Sequence, residues 1–166
     1  ADDIEPIEFY GNCYNGNADL YTTMSYLPHV DTFPGADEDI NPLNDYAFNL
    51  NVTKSDKVKT AFYSFNGKKS VCDWTPDDYD DHDRVRDRHK KIKAKNWRLL
   101  SSENFQNYQL EYVANIEYNS LILYPSHYWH SVYIKEDWFT DTDRVTFTGF
   151  FETKTTSSKT KKLGFG

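Results

Sequence analysis

The feature that most constrains this chain is the run Arg144 to Phe151, RVTFTGFF, in which polar and apolar side chains alternate. β-branched and aromatic residues favour extended chain, and strand side chains point to opposite faces in turn. Arg144, Thr146 and Thr148 therefore share one face, while Val145, Phe147 and Phe151 share the other. If the polar face is buried the guanidinium needs a partner, because an uncompensated buried charge costs about 3–5 kcal/mol. No acidic residue occupies a neighbouring position on that face. A ligand carboxylate is then the natural partner, since arginine forks onto carboxylates with two parallel hydrogen bonds. The plain alternative is an edge strand with Arg144 in solvent.

The preceding residues extend this pattern into a three-strand stretch, Asn119 to Glu152. Ser120 to Tyr124 is a short apolar run that Pro125-Ser126 turns, because proline lacks the amide a central strand needs. His130 to Ile134 resumes the extended pattern, and Asp141-Thr142-Asp143 is a polar turn before Arg144.

Upstream, Ile7 to Tyr10 reads as a strand within an acidic, Gly- and Asn-rich start. Leu20 to Asp31 is β-branched and aromatic, and Pro28 disfavours helix just before His29 and Asp31, which point the same way in extended chain. Thr32 to Asn44 is a loop by its Pro-Gly and Asn-Pro pairs. Asp45 to Val52 and Val58 to Phe65 are strands joined by Lys54-Ser55-Asp56, and Asn66-Gly67 is a tight turn. Thr75-Pro76-Asp77-Asp78 starts a helix, with Thr as N-cap and Pro at the first helical position. Its acids come first and its bases, Arg84 to Lys95, come last, which suits the helix dipole and reads as a solvated face. Trp97 to Leu100 and Tyr108 to Ile116 are strand-like again. Residues 1–153 are expected to form a single domain, followed by a Lys-, Ser- and Gly-rich tail over 154–166 that frays.

The 166 residues are a one-domain length, able to bury roughly 70% of the unfolded surface. A net charge of −7 argues against a nucleic-acid or anionic-membrane binder. No run reaches the length of a membrane span, and the first 30 residues hold no basic-then-apolar segment, so neither a span nor a signal peptide is expected. Two cysteines, Cys13 and Cys72, permit one pairing, yet such sparse usage fits a reducing compartment and a cytoplasmic location.

The chemistry gathers on His29-Val30-Asp31, the only His-x-Asp in the chain. One imidazole and one carboxylate on a common face need a second imidazole to complete a facial set of two His and one carboxylate, which suits non-haem Fe(II) and leaves positions open. The candidates are His130, at the head of a strand, and His127, within the turn before it. His82 and His89, two turns apart on the charged helix, are a weak metal-ligand pair against the plainer reading of ordinary surface histidines.

His29, Asp31 and His130, followed at 144 by an arginine and at 146 by a threonine, resemble the 2-oxoglutarate and Fe(II)-dependent dioxygenase superfamily. The resemblance runs from about Tyr26 to Glu152, and NSLILYPSHYWHS looks most like small prolyl-hydroxylase-type and phage or bacterial members. It implies His29, Asp31 and His130 as metal ligands and catalytic centre, with Arg144 and Thr146 anchoring the distal carboxylate of 2-oxoglutarate. Asn49 stands where the family often has a tyrosine reaching that carboxylate, and Tyr63 is a further co-substrate contact. Val58 and Lys59 replace two glycines of the family's pattern. The fold implied is mainly β, a double-stranded β-helix of jelly-roll or cupin type with one or two helices. Family members carry more structure ahead of the His-x-Asp than 28 residues provide, so part of the N-terminal support is expected to be missing.

The activity implied is hydroxylation of an amino acid, a peptidyl side chain or a small metabolite, with Fe(II), 2-oxoglutarate and O2 as cofactor and co-substrates. Tyr63, Trp97, Tyr124 and Trp129 either wall the pocket or are plain core. Two other classes stand beside this reading: a metal-dependent cupin-type enzyme that does not use 2-oxoglutarate, and a non-catalytic jelly-roll interaction protein.

Overall fold

A computed structural model of the chain describes residues 4–14, 28–31, 45–90, 107–134 and 138–153. The described residues are mainly β, with two antiparallel sheets and one α-helix. Strands β1 (Ile4–Tyr14), β2 (Asp45–Asn51), β5 (Leu121–Pro125) and β7 (Arg144–Thr153) form the first sheet in the order β1-β7-β2-β5. Strands β3 (Lys59–Phe65), β4 (Tyr108–Asn115) and β6 (His130–Val132) form the second in the order β4-β3-β6. His29 widens that second sheet on the far side of β6, exchanging both backbone hydrogen bonds with His130 at 2.9 Å. The chain therefore passes from the first sheet at β1 to the second at His29, back for β2, across for β3 and β4, and then alternates through β5, β6 and β7.

β7 lies inside its sheet, between β1 and β2, so the edge-strand reading of Arg144 is overturned. Opposite β7, β2 sets Asn49 against Thr148 and Asn51 against Thr146. On the other side of β2, Ala47 faces Tyr124 and Asn49 faces Ile122 on β5. These positions line the face turned to the second sheet, where Phe62 lies against Tyr124 at a ring separation of 5.2 Å. Apolar side chains close one end of that interior: Val58, Ile116, Ile134 and Phe139 form a buried cluster on which Ile122 and Val132 pack.

The opposite face of the second sheet carries a separate core. Val30, Ala61, Tyr63, Phe65, Trp129 and Tyr133 pack there with Val71 and with Val85 of the helix α1 (Pro76–Lys90). The Asn66-Gly67 turn is a two-residue hairpin with both residues at positive φ, 49° and 79°, the conformation that Asn-Gly adopts at least strain. α1 starts as the sequence predicts, and Asp78 accepts from the Thr75 amide at 2.7 Å, its hydroxyl at 2.6 Å, and from Lys68. These bonds, Lys68 first, hold the Asp78 carboxyl well below the usual carboxylate range.

Sequence and structure agree on β2 through β7 to within two residues at each end, whereas β1 is longer than Ile7 to Tyr10. The expected strand at Trp97 to Leu100 and the tail fall outside the described residues. Cys13 and Cys72 are both free and exposed. No described helix is long and apolar enough to cross a membrane.

Candidate metal centre

The His-x-Asp segment works because alternation splits it between two environments. Val30 points into the core beneath the second sheet, while His29 and Asp31 project to the other side. The segment is held at both ends, by the His29–His130 backbone pair and by the Asp31 amide donating to the Ser126 carbonyl at 2.9 Å. Among the described residues, His29, Asp31 and His130 are the one group of His, Cys, Asp or Glu whose ligand atoms converge, all within 4.8 Å of one another. The Nε2 atom of His130 lies 3.4 Å from Asp31 Oδ2, and that of His29 lies 3.9 Å from Asp31 Oδ1. The two imidazole rings sit 4.5 Å apart, tilted by 53°.

Hydrogen bonding fixes which nitrogen of His130 faces inward. Nδ1 lies 2.9 Å from the Tyr128 carbonyl, which can only accept, so Nδ1 carries the proton and donates. The Nε2 lone pair is then directed at Asp31, the orientation that a metal-binding imidazole takes from its outer partner. Burial, and then His29, push His130 down to about 3, against a smaller upward pull from the Tyr128 carbonyl. Burial pushes the Asp31 carboxyl up to about 6, although His29 eases it. Above that pH a carboxylate oxygen and an imidazole lone pair confront each other at 3.4 Å with no proton between them. A bound cation resolves that conflict, so the donor set fits a divalent metal. Side-chain exposure falls from 45% at His29 to 13% at Asp31 and 5% at His130, so the centre opens toward solvent on the His29 side.

Arg144 lies on the same interior, only 1% exposed, and its Nη1 donates to Thr146 Oγ1 at 3.1 Å. The start of β7 is pinned next to it: Thr53 Oγ1 accepts from the Val145 amide at 2.7 Å, and Asn51 Oδ1 accepts from the Thr53 amide at 2.7 Å. Asn51 also donates to the Ile116 carbonyl at 2.8 Å, which ties β2 to the closed end of the interior. Asn49 is buried on the same face, its Oδ1 accepting from Thr148 Oγ1 at 3.2 Å. His29, Asp31, His130, Arg144, Thr146 and Asn49 thus share the space between the sheets.

Tyr63 does not. It packs on the opposite face of the second sheet, its hydroxyl 3.1 Å from Ser131 Oγ and its ring edge-on to Tyr108, so the expected contact with a co-substrate is corrected. The wall residue on β3 is Phe62, which stands directly across from His130 and places its ring 6.4 Å away. Trp129 is core, stacked on Trp74 at 4.9 Å, and Tyr124 lines the site, its ring 4.7 Å from that of His130. His127 is buried in the turn and does not join the converging group. His82 packs among Phe65, Trp74 and Trp129 beneath α1, so its reading as a surface histidine is corrected, and it does not join the converging group. The side chain of His89 and all of Trp97 fall outside the described residues.

No family model and no curated protein matches the chain. Among solved structures it is similar to an N-substituted L-amino acid dioxygenase from Burkholderia ambifaria AMMD in complex with alpha-KG, at 11% identity and a TM-score of 0.47, over 89% of this chain and 49% of that one. A second structure of that dioxygenase matches at 10% identity and 0.49, over 93% and 56%. HygX from Streptomyces hygroscopicus with iron bound matches at 10% identity and 0.49, over 92% and 60%. The chain spans about half to three-fifths of the length of these proteins.

Proposed function

We propose that the protein is an Fe(II)- and 2-oxoglutarate-dependent oxygenase on a double-stranded β-helix, hydroxylating an amino acid, a peptidyl side chain or a small metabolite. The observation that carries this reading is the convergence of His29, Asp31 and His130, with a buried imidazole lone pair facing a desolvated carboxylate. Three ligands on one side leave the remaining positions of an octahedral ion free, the requirement for a metal that must also hold co-substrate and oxygen. The alternation of successive strands between two facing sheets supports the jelly-roll reading.

Each residue has a distinct task. His130 is locked by the Tyr128 carbonyl, so its Nε2 is preorganised before metal arrives. Asp31 supplies the negative charge, and the partly exposed His29 closes the facial set. Arg144, buried with Thr146, presents a fork that binds the far carboxylate of a dicarboxylic co-substrate, and Thr146 holds that fork in register. Phe62 and Tyr124 exclude water beside His130. When bound, Fe(II) with 2-oxoglutarate and O2 supplies oxidative decarboxylation to succinate and CO2 coupled to insertion of oxygen into a substrate C–H bond.

The test is succinate formation from 2-oxoglutarate by the Fe(II)-loaded protein in air, first without and then with candidate substrates. Slow metal-dependent turnover that is abolished in His130→Ala and reduced in Arg144→Ala is expected. Metal binding with no succinate under any condition would sink the assignment.

A further inference from the structure

Arg144 is the first residue of β7, where both of the strand's ladders run out. On one side its cross-strand partner is Tyr14, the last residue of β1. On the other, the pairing with β2 stops at Asn51 opposite Thr146, two residues further into the strand. A guanidinium that must meet a carboxylate squarely needs a closely fixed backbone, and on the β2 side the ladder does not carry that as far as Arg144.

The segment Asn51-Val52-Thr53 continues the grip. The Val52 amide reaches the Val145 carbonyl at 3.2 Å, and beyond it a side chain takes over from the backbone. The Thr53 hydroxyl accepts from the Val145 amide at 2.7 Å and lies 3.2 Å from the Asp143 carbonyl and 3.3 Å from the Val145 carbonyl, to either of which it can donate. One oxygen thus touches the residues on both flanks of Arg144. Thr53 is itself set by Asn51, whose Oδ1 accepts from the Thr53 amide at 2.7 Å while its Nδ2 donates to the Ile116 carbonyl at 2.8 Å. Both side chains are buried, Asn51 completely. Asn-x-Thr is also the pattern of a glycosylation acceptor, but the Asn51 nitrogen that would carry the sugar is enclosed and bonded, so the motif serves the fold.

Resting on the oxygenase reading, we infer that Thr53 is a positioning residue for the dicarboxylic co-substrate: it touches neither metal nor acid, and it sets the backbone from which Arg144 aims its fork. Its influence is therefore confined to ligands that use the fork. Thr53→Val keeps the shape and removes the hydroxyl, whereas Thr53→Ser keeps the hydroxyl. A threonine that served only the stability of the fold would affect every ligand alike, or none.

The experiment compares wild type, Thr53→Val, Thr53→Ser, and Thr53→Val combined with Arg144→Ala. Affinity for Mn(II) is measured first, and the Mn(II)-loaded proteins are then titrated by calorimetry with 2-oxoglutarate and with 2-oxobutyrate, which lacks the second carboxylate. Thr53→Val is expected to bind 2-oxoglutarate about tenfold more weakly, as for residues coupled through one hydrogen-bond network, with Mn(II) and 2-oxobutyrate affinities within about twofold of wild type. Thr53→Ser should restore 2-oxoglutarate binding, and Thr53→Val should add no further loss once Arg144 is replaced by alanine. Thr53→Ala, which places no apolar branch against the Val145 amide, is carried in parallel and should behave as Thr53→Val, so a valine variant that fails to fold leaves the test intact. Unchanged 2-oxoglutarate binding, an equal loss for 2-oxobutyrate, no rescue by serine, or an equal loss in the Arg144→Ala background overturns the inference while the oxygenase reading stands. Wild type that binds Mn(II) but neither acid overturns both.

Discussion

Replacing Asp31 by Asn should make the metal-free protein more stable and abolish the stabilisation that bound metal brings. Asp31 titrates at about 6 in the fold against an ordinary 3.8, and burial is the main cause. Each pKa unit is worth about 1.4 kcal/mol, so carrying the ionised carboxylate in the empty site costs about 3 kcal/mol at neutral pH. The sign follows from proton binding. Between 3.8 and 6 the folded state holds the proton more tightly than the unfolded chain. The favourable contribution is full below 3.8 and is lost as pH rises through 6. His130 works in the opposite sense, since its contribution is present above 6.5 and is lost as pH falls toward 3. Comparing wild type with Asp31→Asn at each pH cancels the histidine and isolates the carboxylate. In chelator the variant should be more stable by about 3 kcal/mol at pH 7.5 and by about half that at pH 5. Saturating Mn(II), at about 100 times its dissociation constant, should stabilise wild type by about 2.7 kcal/mol and leave the variant unmoved. Urea unfolding at the two pH values, with and without metal, measures all four terms. A variant less stable than wild type in chelator at pH 7.5, or equal stabilisation of both by metal, would refute the reasoning.

Other outcomes follow from the same geometry. Metal affinity should fall by about tenfold per pH unit below about 6, where a proton competes for Asp31, as measured by Mn(II) titration across pH. Arg144→Lys keeps the charge and loses the fork, so binding of 2-oxoglutarate to the metal-loaded protein should weaken by at least about tenfold with metal affinity intact, read by calorimetry. Asn51→Ala removes two buried hydrogen bonds, to Ile116 and Thr53, and should cost about 2–4 kcal/mol in urea unfolding. Trp129→Ala opens the core under α1 and should cost about 3–5 kcal/mol by the same assay, with any folded fraction still binding metal.

The parts of the fold governed by short-range chemistry were legible in the sequence. The Asn-Gly turn, the Thr-Pro-Asp-Asp helix start and the alternation of β7 each rest on neighbours within a few residues, and the structure has all three. The pairing of β3 with β6 was not legible, because it joins residues 68 apart through a register that no local pattern encodes. That register decides the face of Phe62 and Tyr63. The shift between them, where β3 meets β4, further disturbs simple counting along the strand. Phe62 cannot be singled out by local counting for this reason, whereas alternation along β7 puts Thr148 on the face of Thr146, and the pairing of β2 with β7 then sets Asn49, which only the resemblance points to, opposite Thr148. His130 and His127 could not be separated by residue type. The difference lies in the backbone pair with His29 and in the Tyr128 carbonyl, both of which depend on tertiary structure.

The most direct test of the central claim is an anaerobic titration of metal-free protein with Fe(II) and then 2-oxoglutarate, followed by visible absorption. The account predicts one iron per chain and a weak charge-transfer band that appears only when both are present. The band should vanish in His130→Ala and need more 2-oxoglutarate in Arg144→Ala. Iron bound without a band would mark a metal site of another chemistry, and no iron at all would contradict the account.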